Sequence, residues 1–204
     1  MKMLSFEEGV EAVRLARTVV DATVKHQPVP EVKLSEKFKQ KNGAFVTLLT
    51  FPSRDLRGCI GIPEPIMRLK DAIKEAASSA TRDPRFPPVD KRELNTIIVE
   101  VTVLTKPELI NVKNPREYLS EIVVGRDGLI AEQGFFRGLL LPQVPVEYNW
   151  DIEEFLSQTC MKAGLPPDAW FDKDTKIYKF SGQIFAEKKP YGDVEERRID
   201  REGN

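Results

Sequence analysis

The chain has 204 residues, 41% of them hydrophobic and 31% charged, and its 31 Lys and Arg nearly cancel its 32 Asp and Glu. That length and core-forming content suit one domain or two small lobes and exclude a large multidomain machine. A net charge of −1 excludes bulk attraction to nucleic acid or anionic lipid, and one His with two Cys falls short of a structural zinc site of about four ligands and of a disulfide scaffold.

The first residues, Met1-Lys2-Met3-Leu4-Ser5-Phe6-Glu7-Glu8, put an acidic pair where a signal peptide needs an apolar core. No apolar run approaches the ~20 residues of a membrane span. A cytoplasmic chain with reduced thiols is therefore expected. High charge with few Asn and Gln also resembles thermophile usage. Ser5 followed by Glu8 is a capping box, and Phe6, Val10, Val13, Val20 and Val24 recur at helical spacing towards His26. Pro28 and Pro30 then favour an extended linker. Lys37, Lys39 and Lys41 follow; with only Phe38 among them for base stacking, they read as a solvated face.

Gly43 to Phe51 is rich in strand formers, Pro52-Ser53-Arg54-Asp55 signals a turn, and Leu56 to Ile62 reads as the return strand. Leu69, Ile73, Ala76, Ala77 and Ala80 mark one face of a helix ending near Thr81, before a proline-stiffened loop from Asp83 to Pro88. Thr96 to Thr105 alternates as a half-buried strand. Asn114-Pro115 starts a short helix. Ile122 to Ala131 reads as a hairpin turning at Gly125-Arg126-Asp127-Gly128, and Phe135 to Leu141 as a further strand. Asp151 and Glu154 suggest a second capping box, for a helix that buries Phe155, Leu156 and Cys160 and stops at Gly164. Lys176 to Glu187 is a strand, and residues 190–204 read as a charged, fraying tail. Hairpins outnumber helical crossovers, so the fold class is α+β, with a mainly antiparallel sheet flanked by helices.

The most specific segment is Leu56-Arg57-Gly58-Cys59-Ile60-Gly61. Strand alternation points Arg57 and Cys59 the same way, about 6.6 Å apart at Cα. A nearby guanidinium favours thiolate over thiol, and flanking glycines let a ligand or second backbone approach. The structural alternative is a buried cysteine acting as a small hydrophobe, with glycines at a bulge.

This segment, with Asp83, Arg85-Phe86-Pro87-Pro88, Gly125, Gly128, Leu141-Pro142-Gln143-Val144, Glu147, Trp150-Asp151 and Cys160-Met161-Lys162-Ala163-Gly164-Leu165-Pro166, resembles the AMMECR domain family in an archaeal or bacterial form. That family is named for a human protein of the Alport-syndrome chromosomal region. The resemblance runs from about Phe6 to Lys189. It implies one AMMECR-like domain over residues 1–189, with a larger and a smaller lobe around a cleft. It also implies a link to Memo-type and radical-SAM proteins in a modification pathway. It carries no established reaction.

The matching residues have physical readings of their own. Asp83 and Arg85 either orient a polar substrate or form a local ion pair that fixes their loop. Glu147 is a general acid or base if buried, or else an acceptor for loop amides. Trp150 lines a pocket or anchors the start of the following helix. Cys160 lies on an apolar helix face and reads as core. His26 lies near a helix C-terminus, where a protonated His is favoured, so a Cys–His dyad is disfavoured.

Two functions are carried forward. In the first, the protein is an enzyme or enzyme component, with Cys59 and Glu147 as catalytic groups and Arg57, Gly58, Gly61, Asp83, Arg85 and Trp150 binding substrate. In the second, the same cleft belongs to a non-catalytic module that binds or regulates through a small molecule, peptide or nucleic acid. Neither reading assigns a metal or cofactor. The partner implied is a small molecule or protein in the cleft, with no strong nucleic-acid signal and no membrane.

Overall fold

The structure, a computed structural model, describes residues 4–197. In chain order the elements are α1 (Phe6–Lys25), β1 (Ala44–Thr50), β2 (Leu56–Ile62), α2 (Leu69–Ala80), β3 (Ile97–Leu104), β4 (Glu108–Leu109), α3 (Tyr118–Glu121), β5 (Asp127–Gln133), β6 (Phe136–Leu140), α4 (Val144–Glu147), α5 (Ile152–Lys162), β7 (Lys176–Glu187) and β8 (Val194–Arg197). The paired strands are antiparallel, which is the α+β class the sequence predicts. The chain divides into a larger unit, running through Leu104 and resuming at Gln183, and a smaller one, Thr105–Gly182.

In the larger unit β1 lies between β2 and β3. One face of these strands buries Ala44, Val46 and Leu48 with Val99, Val101 and Val103. Against that face pack α1 and the alanine-rich side of α2, Ala72, Ile73, Ala76, Ala77 and Ala80. Each fully buried Val, Ile or Leu contributes about 1.5–3 kcal/mol over leaving it exposed. The expected capping box starts α1: Ser5 Oγ accepts from Glu8 N at 3.2 Å, and Glu8 Oε2 accepts from Ser5 N at 2.8 Å. His26 closes α1 in the left-handed region, at φ 54°. The other face of β3 is also covered, with Ile98 and Thr102 buried, so this strand is buried on both sides and not on one.

The smaller unit places β5 between β6 and β7, with β4 on the far edge of β7. Its core gathers Leu129, Ala131, Phe155, Leu156, Cys160, Trp170 and Ile177, so Cys160 is a core residue as predicted. Four further expectations are corrected. The hairpin is formed by β5 and β6, turning at Gly134 (φ 61°), and Ile122–Val124 form no strand. Asp127 is buried and accepts hydrogen bonds from Val123 N and from the Arg126 guanidinium, so Asp-Gly opens a strand and does not tip a turn. At α5 only half a capping box forms: Asp151 accepts from Glu154 N at 2.8 Å, while the Glu154 carboxylate accepts from Gln158. The fraying tail is corrected over Val194–Arg197, which pair with β7 as β8 because Val194 has a buried seat in the core. The remainder of that segment, 198–204, lies outside the described residues. Among the described residues no helix is long and apolar enough to cross a membrane.

Candidate functional site

Cys59 sits on β2, the outermost strand of its sheet, opposite Thr47 of β1, which in turn faces Glu100 of β3. An edge strand leaves backbone groups unpaired, and here the loop after α2 takes them up. Cys59 N donates to Asp83 Oδ2 at 2.8 Å, and Cys59 O accepts from the Arg85 NH2 group at 3.2 Å. Asp83 is buried, with its side chain 1% exposed. Its two oxygens also accept from Arg85 N at 3.0 Å, Nε at 3.0 Å and NH2 at 2.7 Å. Arg85 beside it, above all, holds the Asp83 carboxyl far below the usual carboxylate range. The ion-pair reading of Asp83 and Arg85 is therefore realised, and the pair does the work of a neighbouring strand.

Arg57 has a different partner from the one the spacing suggests. The β1–β2 register slips between Leu48 and Leu49, so Arg57 is the extra residue on β2. Such a bulge re-aims a side chain. The Arg57 guanidinium donates through Nε and NH2 to the two Glu93 oxygens, at 2.7 and 3.1 Å. Glu93 is itself fixed because Glu93 Oε2 accepts from Asp90 N at 2.7 Å. The Arg57 hydrogen bond is the main reason the Glu93 carboxyl lies below its ordinary value. Arg57 and Arg85 both face the Phe86 ring, with Cζ at 6.0 and 5.7 Å from its centre.

The expected support of a Cys59 thiolate by Arg57 is thus corrected. Burial pushes the Cys59 thiol above its ordinary value. The Thr47 hydroxyl, 3.2 Å from Sγ, and then Arg85 pull it down, while Glu100 and Asp83 push it up. The glycines are also used by the protein itself. A Cβ on Gly58 would lie 2.4 Å from Ala80 O, and one on Gly61 would lie 2.2 Å from the Phe45 ring. The close approach predicted at both is made by the end of α2 at Gly58 and by the Phe45 ring of β1 at Gly61.

Glu147 and Trp150 belong to the smaller unit. Glu147 ends α4 and is exposed, with partial desolvation holding its carboxyl above its ordinary value. It is neither the buried acid nor the amide acceptor the sequence suggests, since no hydrogen bond to its carboxylate is found among the described residues. Trp150 is half-buried, packs on the smaller core and stacks on Tyr148 with ring centres 5.0 Å apart. These contacts are the ones a helix anchor would make. Thr47 and Glu93 were missed from sequence. The Asp90-to-Glu93 capping-box spacing could have marked Glu93 as a fixed carboxylate, but nothing local pairs it with Arg57. Among the described residues no group of three or more His, Cys, Asp and Glu could hold a metal ion.

A family model described as AMMECR1 matches residues 13–185. The chain is 56% identical over 200 residues to Protein MJ0810 of Methanocaldococcus jannaschii, covering 98% of this chain and 100% of that one. It is 51% identical over 199 residues to Protein PH0010 of Pyrococcus horikoshii, covering 95% and 96%. The crystal structure of uncharacterized protein PH0010 superposes with a TM-score of 0.86 at 48% identity, over 97% of this chain and 100% of that one.

Proposed function

This chain belongs to the AMMECR1 family, and from that premise we propose that it is a binding module whose Arg57–Phe86–Arg85 surface holds a ligand without covalent chemistry at Cys59. One observation carries this reading. Each guanidinium is locked on its Nε and NH2 edge by its own carboxylate, beside one aromatic ring. Their NH1 groups find no hydrogen-bond partner among the described residues. A guanidinium held this way has directed donors and little rotamer freedom left to lose on binding. Because each charge is already countered, the surface suits a hydrogen-bond acceptor such as a carboxylate or peptide carbonyl more than a highly charged polyanion. A neutral thiol beside it forms part of the wall.

The enzyme reading would need a reactive Cys59, and its surroundings oppose one. A place beside Memo-type and radical-SAM proteins fits a binding role, in which this module presents a group on which another protein acts. Both cysteines are free, which suits a reducing, cytoplasmic setting.

The test is a thermal-shift screen of small carboxylates, amides and short peptides. A stabilising ligand should lose its effect in Arg57→Ala and Arg85→Lys and keep it in Cys59→Ala. A ligand shift indifferent to both arginine changes, or turnover abolished by Cys59→Ala, would overturn the proposal.

A further inference from the structure

The larger unit carries a second feature that the Cys59 surface does not use. A cavity of about 520 Å³ opens beside the C-terminal half of α1, walled by Arg14, Arg17, Asp21, Lys25, Gln27 and Tyr191. Positions 14, 18, 21 and 25 share one stripe of a helix, which puts the charged side chains of α1 on this wall. The volume lies within the ~300–1,000 Å³ of small-molecule sites.

Its charges do not cancel. Arg17 is buried and pairs with the fully buried Glu187. Asp21 accepts from Lys25 Nζ at 2.9 Å and from the Tyr191 hydroxyl at 3.0 Å. Arg14, Arg17 and Lys25 thus face Asp21 and Glu187, leaving one positive charge in excess. The surplus rests on accessible donors, since Arg14 and Lys25 are each 41% exposed. Arg14 commits only its NH2 group to a short hydrogen bond, to Gly192 O at 2.7 Å, with NH1 3.8 Å from Glu187.

The cavity also has a fixed aromatic wall. Tyr191 stands in the left-handed region at φ 58°, which a tyrosine adopts only where its surroundings hold it. Its ring centre lies 4.4 Å from Arg17 Cζ, and Gly192 N closes the turn by donating to Lys189 O at 2.8 Å. Pro28 and Pro30 add further apolar ring faces.

We propose that this cavity binds a small aromatic monoanion, with its carboxylate taken by Arg14, its ring against Tyr191 and the prolines, and the Lys25 charge adding to the attraction from about three turns further along α1. Asp21 beside Lys25 disfavours a dianion. A carboxylate meets a guanidinium in the strong, charge-assisted geometry that Arg favours.

Benzoate, titrated into the full chain and followed by amide chemical shifts, tests this. Saturable shifts are expected on the C-terminal half of α1 and on Tyr191 and Gly192. Affinity should fall about tenfold or more in Arg14→Gln, the loss of one charge-assisted hydrogen bond. Arg14 is solvent-accessible, so this variant keeps the fold, and Lys25→Gln gives an independent reading. Arg57→Ala should leave the benzoate-induced shifts on α1, Tyr191 and Gly192 unchanged, which separates this site from the Cys59 surface. No saturable shift, shifts scattered over the chain, or unaltered affinity in both α1 variants would overturn the site. Equal binding of benzamide or inorganic phosphate would overturn the monoanion assignment.

Discussion

Two of the arginine–carboxylate pairs in the larger unit share their chemistry and differ in burial. In Arg17–Glu187 both side chains are inside, at 5% and 0% exposed. In Arg85–Asp83 only the carboxylate partner is inside, at 1%, while the Arg85 side chain is 56% exposed. The Arg17 donors are consumed within the fold: Nε and NH2 by Glu187, NH2 also by Ile97 O, and NH1 by Leu94 O. Glu187 Oε2 accepts from Val99 N as well, so this pair joins α1, β3 and β7. Arg85 NH1 has no hydrogen-bond partner among the described residues, and its side chain is largely exposed. Burying the cation makes a pair part of the scaffold, and exposing it leaves donors for something else.

The largest expected effect breaks the inner pair. Glu187→Gln keeps the shape and removes the charge that compensates a buried guanidinium. An orphaned buried charge costs about 3–5 kcal/mol, which chemical denaturation would register as a lower midpoint with little change in slope. A loss below about 1 kcal/mol would show that water or Asp21 compensates Arg17, and the distinction drawn from burial would fail.

The outer pair should cost less, because Arg85 without its partner remains in water. Asp83→Asn removes a charged acceptor of four N–H donors and turns its own NH2 towards them, for about 2–3 kcal/mol. The pH dependence has a definite sign. The folded Asp83 carboxyl is depressed, so its stabilisation is fully present above the unfolded value of ~3.9 and is lost as pH falls towards the lower folded one. The gap in stability between Asp83→Asn and the natural chain should therefore be constant at neutral pH and close in acid. A gap that persists unchanged in strong acid would assign Asp83 a role other than its charge.

These pairs also mark the limit of what the sequence discloses. Asp83 and Arg85 are two positions apart in a stiff loop, so their pairing was legible. Arg57 and Glu93 are 36 positions apart, and their meeting depends on a bulge in β2 that no local pattern announces. Arg17 lies within the apolar stripe of Val13 and Val20, which in retrospect signals a buried charge seeking a partner. That partner is on the last long strand, 170 positions away. Helical or alternating periodicity announced α1, α2, β3 and α5 in advance. The hairpin at Asp127 was misread because a buried aspartate and a turn aspartate look alike until the tertiary hydrogen bonds are known. β8 was missed because a single apolar residue, Val194, gives no period.

The smallest effect falls on Cys59, where it decides between binding and covalent chemistry. Burial, aided by Glu100 and Asp83, outweighs the Thr47 hydroxyl and Arg85, so the folded thiol titrates above its ordinary value. The protonated form then stabilises the fold below the unfolded thiol value of ~8.5, and this contribution is lost as pH rises through the folded one. Cys59→Ser should shift stability by less than about 1 kcal/mol. Iodoacetamide should modify Cys59 more slowly at neutral pH than an unstructured cysteine, with the rate climbing only in alkaline solution. Thr47→Val should move that climb to higher pH, and Glu100→Gln to lower pH. Cys160, with its thiol pushed up to about 11 and sealed in the smaller core, gives the internal reference, reacting only on unfolding. If Cys59 instead reacts at neutral pH faster than a free thiol, the exposed Arg85 governs it more strongly than burial does. The outer pair would then be catalytic equipment and not a binding edge.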